Sequence, residues 1–284
     1  FVERRPHNFN GTSPEYPFWR NGKLFFSLWG GFGMGEITVL WVYDNDRLRP
    51  VAAIGAPPQW LKEKIGTPEA ASAKSFTWTS RKDDGKVHPE EVVFSSFDLG
   101  RAVWGVRMNQ DFSLAFPASS GDVGLAFCKA ESITDKGYPV YKLPSAFLPA
   151  GFTTWDPNMV QNVYADKKGN AITISPYVFS MSPEGKMNWR YVCRWPGLHA
   201  GRNTSSYGDE PGVLVSPLRC YGSAVVSKEI GEVFCLGTDY GATHFISSEG
   251  IYIGRGFSDV RRGDTWAFNT PPTNLKLLGT SLGI

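Results

Sequence analysis

Short β-branched and aromatic runs, one strand arrangement that recurs four times, and turn residues spread along the whole chain together predict an all-β fold. The recurring arrangement is clearest in Gly231–Phe257. There Glu232–Leu236, Ala242–Ser247 and Ile251–Arg255 read as three strands, each bounded by Gly, Asp or Ser. Ser248-Glu249-Gly250 reads as a tight turn, because glycine takes the positive φ that a hairpin turn demands. The same order starts again at Gly169, with Tyr177–Met181, the turn Ser182–Gly185 and Met187–Tyr191. Looser copies open at Gly22, followed by Ile37–Tyr43, and at Gly100, followed by Phe112–Phe116. The opening glycines stand 78, 69 and 62 residues apart. Those intervals exceed the roughly 40–50 residues of compact propeller blades, so each copy carries an insertion. One antiparallel sheet cannot bury both of its faces, and such units must stack on one another. The expectation is a single domain over residues 1–284, a β-propeller of four to seven antiparallel blades with loop insertions, whether alone or as part of a longer protein.

Taken in order, Phe1–Arg20 is polar and aromatic without period and reads as a strap into the first sheet. The start at Phe1 fits a processed or trimmed product. Trp29–Gly35 is glycine-rich, but a strand pattern follows it where a phosphate cradle needs a helix N-terminus, so it reads as a strand connection at a rim. Leu61–Ala73 is the one helical pattern, and Pro68 limits it to two short turns inserted between strands. The tail Leu277–Ile284 offers a closing strand.

The composition excludes several classes. A net charge of +2 with no Lys/Arg run argues against nucleic acid, and no apolar run is long enough for a membrane-spanning helix. Cys128, Cys193, Cys220 and Cys235 form no Cys-x-x-Cys pair, which disfavours zinc ribbons and haem attachment and leaves buried thiols or disulfides. Asn10-Gly-Thr12 and Asn203-Thr-Ser205 match the glycosylation acceptor pattern. No cysteine–histidine signature is present.

Trp78–Glu91 has the skeleton of a twelve-residue calcium loop, with Ser80, Asp84, Gly85, Val87 and Glu91 at its first, fifth, sixth, eighth and twelfth positions. Serine is a neutral ligand at the first position, and Lys82 puts a cation at the third, so calcium and a metal-free structural loop both stay open. Trp78 through Phe94 resembles the W-x-D-x-N-G-D-G-x-x-x-x-x-E insertion of large secreted bacterial β-propeller proteins related to NHL and quinoprotein-like propellers. Arg49–Gly55, Lys136–Tyr141, Gly197–His199 and Gly250–Arg261 agree with that resemblance. It implies a propeller fold, a degenerate EF-hand-like insertion over residues 78–94, and a secreted, periplasmic or cell-surface setting. It brings no catalytic residue set.

His7, His88, His199 and His244 lack the close spacing of a metal site, and His244 within a strand reads as structural. His199 lies in a long polar connection with Arg202 and Tyr207, followed by Arg219. Such a set suits lyase chemistry on an acidic sugar, a cation neutralising the carboxylate while His or Tyr takes the neighbouring proton. Arg255, Asp259 and Arg261 form a second polar cluster, suited to binding a carboxylate or to tying down a connection. The leading functional expectation is a binding module that recognises carbohydrate or a protein partner through aromatic side chains on its loop face. A polysaccharide lyase acting on acidic glycans is the alternative, and a quinone-dependent oxidoreductase, on fold analogy alone, is the weaker one.

Overall fold

The computed structural model describes residues 16–29, 37–84, 86–100, 106–119, 123–144, 148–149, 162–174, 177–194, 214–215, 218–238 and 243–256. These residues are mostly strand, arranged in antiparallel sheets with two short parallel pairings. The chain divides into two compact units, Phe1–Ile172 with Met181–Lys186, and Thr173–Ser180 with Met187–Ile284.

The first unit opens with a six-stranded antiparallel sheet whose strands lie in sequence order: β1 (Pro17–Arg20), β2 (Lys23–Trp29), β3 (Ile37–Asp44), β4 (Arg47–Gly55), β5 (Ser75–Thr79) and β6 (Val92–Ser95). Local chemistry decides its first turn. Asn21 and Gly22 take φ of +48° and +74°, the two left-handed residues a type I′ hairpin needs, and Arg20 pairs with Lys23 across them. Strand β1 corrects the expected strap at its end: a Pro that begins an edge strand withholds no needed N–H, and Phe18 stacks on Phe25 of β2 at 5.7 Å.

Strand β3 is buried on both faces. Ile37, Val39 and Trp41 alternate into one core with Ala53, Phe76 and Trp78, while Leu40 and Val42 are buried on the opposite face. Leu61 closes the first of these faces from α1 (Gln59–Ile65), which is followed by α2 (Pro68–Ser72). Both helices lie in the β4–β5 connection, the insertion expected at Leu61–Ala73. Thr67 Oγ1 accepts from the Ala70 N–H and caps α2, with Pro68 in its first turn.

The unit continues with β7 (Val106–Arg107), β8 (Leu114–Ser119), β9 (Val123–Cys128), β10 (Ala130–Ile133), β11 (Pro139–Tyr141), β12 (Leu148–Pro149) and β13 (Asn162–Ala165). Strands β12, β9 and β8 form an antiparallel sheet in that order, β10 and β11 a hairpin, and β13 runs parallel to β7. The strand expected from Phe112 begins at Leu114, because Phe112 sits in a turn at φ +68°. The division between units falls within β14 (Ala171–Ile174) and β15 (Tyr177–Met181).

In the second unit, β16 (Met187–Arg194) runs parallel to β17 (Leu214–Val215), and β18 (Leu218–Ser227), β19 (Gly231–Thr238), β20 (Thr243–Ser247) and β21 (Tyr252–Gly256) form an antiparallel sheet in order. The last three match the strands expected at Glu232–Leu236, Ala242–Ser247 and Ile251–Arg255. Gly250 turns the chain between β20 and β21 at φ +82° with the Trp189 ring packed against it, where a Cβ would lie 2.4 Å from Cγ. Trp189 Nε1 donates to Ser248 O at 2.8 Å and Tyr191 OH to Gly250 O at 2.6 Å, so β16 grips this turn through both side chains. The Gly-rich run Gly30–Gly35, both glycosylation matches and the tail Leu277–Ile284 lie outside the described residues.

Candidate functional site

Four turns of the first unit are stitched together by side chains. Arg20 Nη1, beside the Asn21–Gly22 turn, donates to Gln110 O at 2.8 Å, and Lys23 Nζ on its other side donates to Lys136 O at 2.7 Å. Asn109 Nδ2 donates to Asp166 O. Each turn is also fixed internally. Asp111 Oδ1 accepts from Ser113 N at 2.8 Å and from its hydroxyl, an Asx-type closure. Asp166, fully buried, accepts from Asn170 N at 2.7 Å and from Asn170 Nδ2 at 2.8 Å. Thr134 Oγ1 accepts from Tyr138 N at 3.1 Å.

Phe112 anchors this cluster. Its left-handed backbone costs a bulky residue about 1–3 kcal/mol, the kind of strain that gathers at binding sites. Burial offsets it: the ring lies edge-on to Phe25 at 5.3 Å and to Phe18 at 6.0 Å, with the Arg20 guanidinium 4.6 Å from its centroid.

Two open depressions lie among these turns, of about 400 and 290 Å³. Trp19, Gln110, Asp111 and Lys167 help to line the first, Lys23, Thr134, Asp135 and Lys136 the second, and Arg20 and Asn21 belong to both. Trp19 is 68% exposed. None of these groove residues was singled out from sequence as a site residue. They come from four separate turns, so no local spacing joins them; the Asn21–Gly22 pair was the one readable signal.

The calcium-loop segment is closed by its own carboxylates. Glu91 is buried; its Oε1 accepts from Arg81 N at 2.7 Å and Lys82 N at 2.9 Å, and its Oε2 from Trp78 Nε1 at 3.1 Å. Asp84 accepts from Lys86 N at 3.0 Å and pairs with His88 Nε2 at 2.9 Å; although partial burial opposes ionisation, that partner keeps its pKa below the usual carboxylate range. All four oxygens are thus engaged by N–H groups, and Lys82 pairs with Glu90 beside them. Ser80 Oγ is buried with no hydrogen-bond partner among the described residues. This donor set does not fit a calcium ion, and among the described residues no group of three or more His, Cys, Asp or Glu is disposed to hold a metal.

Arg49 locks the same loop to its neighbours. It donates through Nη1 to the Asp83 carboxylate and carbonyl, and through Nη2 to Asp44 at 3.3 Å and Tyr138 OH at 3.0 Å. Tyr138 OH donates to Asp83 at 2.7 Å; burial, then this carboxylate, pushes its pKa up to about 12.

Of the other expected site residues, His199, Arg202, Tyr207, Asp259 and Arg261 lie outside the described residues, as does the Arg219 side chain. Arg255 stands on β21 opposite His244.

No protein-family model matches the chain. No curated protein matches it either. Among solved structures it is similar to Raptor of Chaetomium thermophilum, with 10% identity and a TM-score of 0.39 over 90% of this chain and 21% of that one. It is also similar to streptogramin B lyase, with 10% identity and a TM-score of 0.32 over 88% of this chain and 71% of that one. The chain spans about a fifth of the length of the Raptor chain.

Proposed function

We propose that the chain is a β-propeller binding module, working outside the cytoplasm, that takes a carbohydrate on the loop face formed by these turns. The sheets β1–β6 and β18–β21, each antiparallel with its strands in chain order, support the propeller reading. The resemblance of Trp78–Phe94 supports the extracytoplasmic setting. Full burial, which pushes the Cys128 thiol up to about 12, keeps that thiol inert in an oxidising compartment.

The observation that carries the reading is Trp19. Leaving so large an apolar ring in water forgoes about 1.5–3 kcal/mol of burial. Beside it the groove offers the amides of Asn21 and Gln110 and the carboxylate of Asp111, the few convergent polar groups that fix a ligand's orientation. A flat aromatic face with amide and carboxylate neighbours matches a sugar ring, apolar on its C–H face and hydroxylated at its rim.

The test is titration of intrinsic tryptophan fluorescence with a panel of oligosaccharides. Wild type binds at least one glycan saturably. Trp19→Ala weakens that binding by about tenfold or more, the loss of roughly 1.4 kcal/mol or more, with an unchanged melting temperature. Capture of a protein ligand with no saturable glycan binding overturns the carbohydrate reading.

A further inference from the structure

Resting on the carbohydrate reading, we infer that the ligand is an anionic saccharide of the uronate type, its acidic group seated among Arg20, Lys23 and Lys136. Across the two depressions the cations Arg20, Lys23, Lys136 and Lys167 outnumber the carboxylates Asp111 and Asp135. More telling is how the first two cations are held. Arg20 is oriented by a carbonyl, Gln110 O, and by the Phe112 ring; Lys23 by a carbonyl, Lys136 O, and by the Tyr138 ring at 5.1 Å.

Neutral acceptors and ring faces fix a cation's direction and leave its charge in place. The ion pairs among the described residues join Arg49 with Asp44 and Asp83, Lys74 with Asp98, Lys82 with Glu90 and His88 with Asp84. None of them takes in Arg20, Lys23 or Lys136. Lys62 and Lys64 are likewise held by carbonyls and Arg107 by the Tyr16 and Tyr164 rings, but none of those three lines these two depressions, whereas Arg20, Lys23 and Lys136 do. A guanidinium fork beside two ammonium groups is the donor set that a carboxylate recognises.

The layout also supplies an order. Trp19 belongs to the first depression and Lys136 to the second, with Arg20 and Asn21 shared between them. A chain of sugars therefore stacks one ring on Trp19 while a neighbouring unit brings its acidic group to the cations.

The experiment compares polyuronate oligomers (polygalacturonate, alginate and hyaluronan fragments) with the same oligomers after reduction of their carboxylates to alcohols. Calorimetry on the full chain at low and high salt reads both. At low salt an acidic form is expected to bind about tenfold more tightly than its reduced form, an advantage that shrinks as salt screens the groove. Lys136→Gln, at an exposed position, is expected to lower affinity for the acidic form about fivefold, leave the reduced form unchanged and leave the melting temperature unchanged. Arg20→Lys is expected to act in the same direction, because the fork is lost. Equal binding of acidic and reduced oligomers overturns this inference and leaves the carbohydrate module standing. Acid-selective binding untouched by either substitution overturns the placement of the acidic group. Failure of every glycan, acidic or neutral, overturns both readings together.

Discussion

His244 shows what burial does to a single titratable side chain. It is 1% exposed on β20, with Nδ1 3.2 Å from Tyr252 OH, and burial followed by the nearby Arg255 charge lowers its pKa to about 4. The neutral ring is therefore the native form. Because the folded pKa lies below the unfolded value near 6.5, protonation favours the unfolded chain. The contribution is complete above pH 6.5 and is lost as pH falls toward 4, by about 3 kcal/mol at that point. Urea midpoints measured from pH 7 to pH 4 are expected to fall accordingly, and His244→Leu to flatten that limb; parallel pH profiles for the two proteins would refute the assignment. The reading of His244 as structural came from its place in a strand pattern, and the structure gives that reading a physical cause.

At the scale of elements, the loop between β5 and β6 is organised by one buried carboxylate. Glu91 receives three N–H donors from within its own segment, so Glu91→Ala leaves them without their acceptor. We expect a loss of about 3 kcal/mol, with Glu91→Gln recovering part of it through its one remaining acceptor oxygen, as read from denaturant unfolding. Equal stability of Glu91→Ala and wild type would sink this account. The sequence made the segment legible as a loop closed on its twelfth position, but not what closes it. Spacing reports which residues converge and is silent on whether the convergence centres on a cation or on backbone N–H groups. The helical insertion was legible for a firmer reason: Pro68 acts locally, through a fixed φ, while the Thr67 cap came only with the structure. Strand β18 was missed because Leu218–Ser227 mixes Gly, Ser and exposed Val with no clean alternation, and its place is set by pairing with β19.

For the molecule as a whole, the strands read directly from sequence are those with tight local turns, and the groove is what local reading could not reach. Trp19, Gln110, Lys136 and Lys167 meet through pairings between turns distant along the chain, and a Phe in a left-handed turn has no sequence signature at all. Stability is also expected to be uneven across the fold. Strand β3, buried on both faces, carries no group whose charge changes near neutrality, whereas β20 carries His244. On lowering the pH from 6.5 to 4.5, hydrogen exchange corrected for intrinsic rates is expected to accelerate at Thr243–Ser247 before Ile37–Asp44 responds. Simultaneous loss in both strands would show that the acid effect does not start at His244.

The Asn21–Gly22 turn also sets a clock. Asn followed by Gly is prone to succinimide formation, in which the Gly22 nitrogen attacks the Asn21 side-chain carbonyl and ammonia leaves. Hydrolysis of the ring yields a carboxylate, on either an ordinary or a β-linked residue. Here that new negative charge stands in the wall common to both depressions. Ageing therefore thins, molecule by molecule, the positive balance of a cation-lined groove and weakens its hold on acidic sugars, and old protein elutes ahead of fresh on a cation exchanger at neutral pH.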